Sequence, residues 1–197
     1  MSKNTFQEKR KIDCIKRLND ILPDLPDFCR EFYVGVENIT SPLTRLNYAV
    51  DHRIFFDYLS KKKFVNKRPS EITLSDLEQV STSDIESFLS YLNHYTHGGK
   101  TLSCNEKAKQ RKLASIRSLF KYFFNKDKIV ANTAAKVVTP KIHDKEIIRL
   151  DMNEIPALIE EAETAEGLSG RQKVYHENTK IRDVAIITLF LGTGIRI

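Results

Sequence analysis

The chain has 197 residues, of which 41% are hydrophobic and 29% are charged, and it carries a net charge of +6. This hydrophobic content suffices for a packed core, while seven glycines and six prolines are too few for the many tight turns of a β-sandwich. The basic balance is compatible with a polyanionic partner, but it is equally typical of a protein with solvated basic faces.

The cysteines, histidines and apolar runs exclude several classes of protein. Cys14, Cys29 and Cys104 are scattered and form no CxxC pair, which indicates reduced thiols rather than a disulfide framework or a zinc site. The five histidines show no metal-ligand spacing. Residues 1–20 lack the apolar core of a signal peptide, and no apolar run approaches the roughly 20 residues of a membrane span. We therefore expect a cytoplasmic protein with no metal, no other cofactor and no membrane segment.

Helical periodicity accounts for the first part of the chain. An amphipathic helix is predicted over 5–22, and Pro23 and Pro26 end it before a second helix begins. The apolar positions that define these helices are Ile12, Ile15, Leu18 and Ile21 in the first, and Phe28, Phe32 and Val36 in the second.

The third predicted helix has a clear start. Ser41 can cap it, and Pro42 suits the first helical position because its missing N–H would have no partner there. The helix is predicted to extend to about Lys62. Its expected buried residues are Leu46, Val50, Ile54 and Tyr58.

Two capping-box patterns follow, Ser75 with Glu78 and Ser83 with Glu86. The first predicts a short helical turn, and the second predicts a helix that continues to about Tyr95. Two consecutive glycines, at 98 and 99, would stop that helix. We predict no β-strand and find no internal repeat in the chain.

A long helix is predicted over 103–125, and a short one over 131–137. The expected buried side of the long helix consists of Leu113, Ile116, Phe120 and Phe123.

Residues 139–148 lack apolar periodicity, and Pro140 favours an extended conformation just before it, so this stretch is predicted to be a linker. The linker separates a helical domain over 23–138, preceded by a helical extension over 1–22, from a second domain over 149–197.

The second domain begins with a helix that Asp151 and Glu154 can cap. Residues 167–178 are predicted to form a polar loop, and 181–191 to form an apolar, buried helix. This helix leads into a Gly-Thr-Gly turn that presents Arg196, one residue before the chain ends. We therefore expect the 197 residues to be a fragment that stops inside a functional site.

Positive charge is concentrated on the long helix and at its ends. Asn105, Lys109 and Lys112 fall at i, i+4 and i+7 and are predicted to form one exposed face opposite the apolar stripe. Such a face fits the major groove of DNA, where amides and cations can bind base edges and phosphates. A solvated lysine-rich face is the alternative. The third helix offers further polar candidates on its expected exposed sides, namely Thr44, Arg45, Asn47, His52 and Arg53.

Three stretches together resemble the tyrosine recombinase (phage integrase) family, in its Xer-like or transposon-integrase branches. The first is the helix Ser-Pro-Leu-Thr-Arg-Leu-Asn-Tyr at 41–48, followed by the turn and helix at 74–89. The second is 112–123, with the Pro-Lys pair at 140–141. The third, 182–197, resembles the segment that holds the family's first catalytic arginine. In order and spacing these stretches cover nearly the whole chain.

The resemblance implies an all-α fold, with a SAM-like helical bundle (the core-binding domain) followed by the first helices of a truncated, mainly α catalytic domain. It implies a site-specific DNA recombinase that cuts and rejoins DNA through a 3′-phosphotyrosyl intermediate without a cofactor. Arg196 would be its first catalytic arginine, and the other catalytic residues, including the nucleophilic tyrosine, would follow Ile197. None of the seven tyrosines present is assigned that role, so the fragment itself is expected to be inactive.

The implied partners are double-stranded DNA and further recombinase subunits, which form a tetramer on DNA, whereas the fragment alone is expected to be monomeric. Thr133 follows Asn132 where the family usually has proline, and the loop at 167–178 is longer than usual. The predicted DNA contacts are Thr44, Arg45, Asn47, Asn105, Lys107, Lys109, Arg111, Lys112 and Lys141.

Two other functions remain open. A non-catalytic helical DNA-binding module, such as a regulator or accessory factor, would explain the basic helix but not the turn before Arg196. A helical protein-interaction scaffold would have no role in nucleic-acid binding.

Overall fold

The computed structural model describes residues 5–142, 150–164 and 166–193. Within them the chain forms eight α-helices and one two-stranded antiparallel sheet, so the predicted all-α fold is confirmed. The chain divides into two compact units, Met1–His143 and Asp144–Ile197. The helices are α1 (Phe6–Ile21), α2 (Phe28–Gly35), α3 (Pro42–Lys62), α4 (Leu74–Glu78), α5 (Thr82–Tyr91), α6 (Glu106–Phe124), α7 (Glu154–Thr164) and α8 (Gly170–Thr193). The strands are β1 (Tyr95–His97) and β2 (Lys100–Leu102), and short 3-10 turns cover Leu22–Asp24, Glu37–Ile39, Pro69–Glu71 and Thr133–Lys136.

α1 begins at a capping box. The Glu8 carboxylate accepts from the Thr5 N–H at 2.7 Å, and the Thr5 hydroxyl accepts from the Glu8 N–H at 3.3 Å. The predicted apolar stripe was partly wrong, since Ile12 and Ile15 are exposed. The reason is that α1 packs against α3 along a different set of side chains. The residues it buries are Cys14, Leu18 and Ile21.

The predicted start of α3 is confirmed. The Ser41 hydroxyl accepts from the Thr44 N–H at 3.1 Å, and Pro42 occupies the first helical position. The helix ends at Lys62, as the sequence predicts. Of the expected core residues, those that are buried are Leu46, Ile54 and Tyr58, while Val50 is half-buried.

The capping boxes of α4 and α5 lie two residues before the predicted ones. Thr73 pairs with Asp76 and Ser81 pairs with Asp84, and each hydroxyl accepts from the backbone N–H of its aspartate at 3.2 Å. Each aspartate also accepts from a lysine of another segment at 2.6 Å, which supports this register. The predicted pairs that were wrong are Ser75 with Glu78 and Ser83 with Glu86.

A β-hairpin follows α5 where the sequence predicted more helix. α5 ends at Tyr91, and Tyr95 of β1 pairs with Leu102 of β2. Gly98 and Gly99 form the turn with φ angles of 58° and 74°, a left-handed conformation that suits glycine in a two-residue hairpin turn. The prediction of no strand was therefore wrong. The adjacent glycines were the available signal for a hairpin turn, rather than for a helix end.

α6 supplies much of the core of the first unit. Its predicted buried residues Leu113, Ile116, Phe120 and Phe123 are all confirmed. Edge-to-face aromatic pairs tie it and α3 to their neighbours. The distances between ring centroids are 5.4 Å for Phe28–Phe123, 5.4 Å for Phe32–Tyr122 and 5.1 Å for Phe55–Phe88.

The second unit contains α7 and α8, which pack against each other. The predicted polar loop at 167–178 was wrong, because Ser169 and Gln172 hydrogen-bond at the start of α8 and the helix begins at Gly170. The expectation that 181–191 is buried was also wrong for the described residues. Ile181 is 81% exposed, because α7 is the one described helix of this unit that packs against α8.

Candidate nucleic-acid interface

Two helices, α3 and α6, carry most of the polar residues predicted to bind DNA. Asn47 on α3 is exposed and lies one turn before Asp51, while Thr44 lies three residues before Asn47 and is partly exposed. Lys107 and Arg111 are exposed one turn apart on α6. The two rows meet where Arg111 Nη2 donates to Asp51 Oδ1 at 2.8 Å. We call Thr44, Asn47, Asp51, Lys107 and Arg111 the α3–α6 strip.

Asp51 is a fully buried carboxylate that binds two cations. Its Oδ1 atom accepts from Arg111 at 2.8 Å and from Lys112 Nζ at 2.9 Å. The Lys112 side chain is 5% exposed, whereas that of Arg111 is 46% exposed. Burial raises the pKa of the Asp51 carboxyl above its usual range, and the two cations oppose the rise. The cluster thus has one more cation than anion, and Arg111 is the member that reaches solvent.

Arg45 and Lys112 are not on an exposed face, which corrects the predicted arrangement. Arg45 is buried and donates to Glu37 Oε1 at 2.5 Å. Its Nε atom is buried and finds no hydrogen-bond partner among the described residues. Lys112 is buried against Asp51, 61 residues away in the chain. Each cation pairs with a carboxylate, and Lys112 also lies four residues before Ile116, on the buried side of α6.

Asn105 and Lys109 lie at the start of α6 and have partners within the protein. The Asn105 side-chain oxygen accepts from the Ala108 N–H at 2.9 Å, so this residue caps the helix. Lys109 donates to the Asn93 side-chain oxygen at 2.6 Å. Asn105 is exposed and Lys109 is partly exposed.

Lys141 lies in the extended segment after the last 3-10 turn and is exposed. The carbonyl of the preceding residue, Pro140, accepts from Gln110 Nε2 at 2.7 Å. Gln110 lies on α6 directly before Arg111 and three residues after Lys107. This contact holds Pro140, the residue before Lys141, against α6.

His52 was predicted on an exposed side of α3 and is instead fully buried. Its Nε2 atom donates to the Ser115 carbonyl at 3.0 Å, so Nδ1 accepts from the Tyr33 hydroxyl at 2.7 Å. Burial lowers the pKa of His52 to about 4, so the ring is neutral near pH 7. Burial likewise raises the pKa of Tyr33 well above its usual range. These residues join α2, α3 and α6 by polar contacts.

No family model and no solved structure matches the chain. The tyrosine recombinase XerC of Caldanaerobacter subterraneus is 30% identical over 183 residues, which cover 87% of this chain and 46% of that protein. The XerC of Leptospira interrogans is 26% identical over 84% of the chain and 45% of its own length, and the tyrosine recombinase XerS of Streptococcus mutans is 28% identical over 95% and 57%. Over most of its length the chain is therefore similar to tyrosine recombinases.

The chain spans about half the length of the curated relatives it matches. Its predicted catalytic arginine, Arg196, lies outside the described residues. No helix in the described ranges is long and apolar enough to cross a membrane. Within the same ranges, no group of three or more His, Cys, Asp and Glu side chains is arranged to hold a metal ion.

Sequence reasoning missed the role of Asp51 and the burial of His52. His52 lies four residues from both Tyr48 and Phe56, so helical spacing already placed it beside aromatic side chains. Asp51 gave no comparable signal, because its two cations come from α6 and lie 60 and 61 residues further along the chain.

Proposed function

We propose that the chain is the DNA-binding part of a site-specific DNA recombinase and that it grips duplex DNA with α3 and α6. The observation that carries this proposal is the Arg111–Asp51–Lys112 cluster, which joins the two helices and leaves Arg111 accessible to solvent. The names of the relatives, tyrosine recombinases XerC and XerS, agree with this proposal. An α-helix fits the major groove of B-form DNA, so a helix with a basic exposed side is suited to enter it.

The proposed contacts divide by chemistry. Lys107, Arg111 and Lys141 are exposed cations, and we assign them to backbone phosphates. Thr44 and Asn47 carry a hydroxyl and an amide that can bind base edges.

The remaining predicted contact residues have partners within the protein. Arg45 and Lys112 are buried against carboxylates, and a buried cation is costly to separate from its partner. We assign them to the support of α3 and α6. We propose that Asn105 and Lys109, which keep some exposure, contact DNA at the edge of the grip.

For the whole protein we propose the chemistry of the family. A tyrosine oxygen attacks a backbone phosphorus and displaces the 5′-oxygen, which leaves a 3′-phosphotyrosyl bond and a free 5′-hydroxyl. Arg196 is the proposed first arginine that stabilises negative charge on the phosphorane, since a guanidinium can donate two parallel N–H bonds to phosphate oxygens. None of the seven tyrosines in the chain is proposed as the nucleophile.

We propose that these 197 residues bind DNA without cleaving it, and that they are monomeric without DNA. The whole protein would act with further recombinase subunits, as a tetramer on DNA. A suicide substrate that traps the phosphotyrosyl bond tests the first statement. A covalent protein–DNA adduct formed by this chain would contradict it.

The DNA grip is tested by binding to duplex DNA across a salt series. Affinity should fall as salt rises, with a slope of about −0.9 for each phosphate contacted in a plot of log K against log salt. Lys107→Ala and Arg111→Ala should each weaken binding and make the slope less steep by about 0.9.

Lys126→Ala is the matched control. It removes the same charge as Lys107→Ala from a residue just beyond the other end of α6, roughly 25 Å or more away at 1.5 Å per residue. Equal losses from Lys107→Ala and Lys126→Ala would refute the chosen surface. No binding at low salt would favour a protein-interaction scaffold.

A further inference from the structure

Arg117 on α6 directs its donors to one short stretch of chain that follows α6. Nε donates to the Ala134 carbonyl at 3.2 Å, Nη1 donates to the Thr139 hydroxyl at 2.9 Å, and Nη2 donates to the Val137 carbonyl. Three acceptors in a fixed arrangement match the planar guanidinium, whereas a lysine ammonium presents its donors from a single atom. Arg117 therefore holds this stretch of backbone against α6.

Gln110 extends the same attachment. It lies seven residues before Arg117, on the same side of α6, and its Nε2 atom donates to the Pro140 carbonyl at 2.7 Å. Residues 134–140 thus run along α6 from Arg117 toward its N-terminal half. The start of the stretch is fixed separately, since the Thr133 hydroxyl donates to the Val80 carbonyl at 2.9 Å.

Lys141 is the next residue, and it is exposed. We propose that Arg117 and Gln110 are positioning residues that hold residues 134–140 along α6. They thereby fix Lys141 beside Lys107 and Arg111, so that all three cations contact the same stretch of DNA phosphates. This inference rests on the proposed DNA binding. A lysine on a free segment loses conformational freedom when it binds a phosphate, whereas a segment already held by the protein loses less.

The attachment itself is tested without DNA, by limited trypsin digestion of the whole chain. Arg117→Lys keeps the charge but loses the fork of donors, so cleavage after Lys136 and Lys141 should become faster than in the unaltered protein. Gln110→Ala should accelerate cleavage after Lys141 more than after Lys136. Arg17→Lys on α1 is the matched control and should change neither rate. Unchanged rates in both Arg117→Lys and Gln110→Ala would overturn the attachment, with circular dichroism used to verify that the variants are folded.

The consequence for DNA is tested by a double-mutant cycle. In the unaltered background Lys141→Ala should make the salt slope less steep by about 0.9, the value for one phosphate contact. In the Arg117→Lys background Lys141→Ala should alter the salt slope much less, because Lys141 is no longer held. An equal change in both backgrounds overturns the positioning role, and no change in either overturns the Lys141 contact.

These outcomes are separate from the proposed function. If the unaltered chain binds no DNA, the proposed function fails, while the trypsin experiment still decides whether Arg117 and Gln110 hold the segment. If DNA binding depends on Lys107 and Arg111 but Lys141→Ala has no effect, the proposed function stands and this inference fails.

Discussion

The ring of Tyr122 on α6 occupies the space where a β-carbon on Gly35 would lie. A β-carbon placed on Gly35, at the end of α2, would come within 2.3 Å of the Tyr122 Cε2 and Oη atoms. Tyr122 is held in place because its hydroxyl donates to the Glu31 carbonyl at 3.2 Å and its ring packs edge-on against Phe32. The absence of a side chain at position 35 therefore permits the close packing of α2 on α6.

Gly35→Ala should destabilise the first unit by about 1–3 kcal/mol, the range for overpacked cores. This outcome is opposite to helix propensity, which favours alanine. Urea denaturation measures the change. In a Tyr122→Ala background, which removes the clashing ring, Gly35→Ala should have little or no cost. A similar cost in both backgrounds would rule out the Tyr122 clash as the cause.

Lys112→Ala should lower stability by about 3 kcal/mol, because removal of one member of a buried ion pair leaves a poorly compensated charge. Asp51 would retain Arg111 alone, whose side chain is partly in water. The control is Lys107→Ala, an exposed lysine of the same helix, which should change stability by less than about 0.5 kcal/mol. Thermal unfolding in the absence of DNA compares the two. Equal effects would show that the Lys112 contact does not stabilise the fold.

Ser81→Ala should cost about 1 kcal/mol, since the Ser81 hydroxyl caps α5. Ser83→Ala is the matched control, because Ser83 is an exposed serine on the first turn of the same helix. It should be nearly neutral. Chemical denaturation separates the two registers, and a larger loss from Ser83→Ala would favour the register predicted from sequence.

His52 should make the protein less stable in mild acid. Its pKa falls from 6.5 to about 4 on folding, so between these values the unfolded chain binds a proton that the folded chain excludes. Stability should therefore decline as the pH falls from 6.5 to about 4, by up to roughly 3 kcal/mol at 1.36 kcal/mol per pKa unit. Unfolding free energies measured across this range give the slope.

His52→Gln is the comparison that isolates this contribution. Asp51 has the opposite effect, because its raised pKa favours the folded state as its carboxyl takes up a proton. Tyr33 titrates well above this range. The Asp51 and Tyr33 contributions are the same in the unaltered protein and in His52→Gln. The difference between the two pH slopes therefore measures the contribution of His52. Identical pH slopes in the two proteins would rule out His52 as the source.

Features that depend on neighbouring residues were predictable from the sequence. The start of α3 at Ser41 and Pro42 needs only a hydroxyl and an imino acid at adjacent positions. The buried side of α6 follows from the spacing of its apolar residues. The capping boxes were harder to predict, because Thr73 and Ser75 each have an acidic residue three positions later and both fit the local pattern. The ion pair between Asp76 and Lys67 favours the box that begins at Thr73.

Features that depend on distant residues were not predictable. Arg45 and Lys112 pair with Glu37 and Asp51, and neither ion pair follows from the sequence. The burial of Lys112 was predictable in part, because it lies four residues before Ile116 on α6. Helical spacing places a residue on a side of its own helix and does not show which other helix packs there. The predicted exposure was therefore wrong for Arg45 and Lys112, while DNA binding by α3 and α6 stays a prediction.

Several cations of this basic chain are held by partners inside the fold. Lys112 binds Asp51, Arg117 binds backbone carbonyls, and Lys128 binds Glu31 at 2.6 Å. Sequence-independent attraction to DNA depends on the cations that neutralise phosphates and release counterions. The Lys112–Asp51 and Lys128–Glu31 pairs already cancel within the net charge of +6, so pairing lowers the availability of these cations to phosphates rather than the net charge. Attraction to arbitrary DNA would then depend on the exposed cations, such as Lys107, rather than on the total of 32 lysines and arginines.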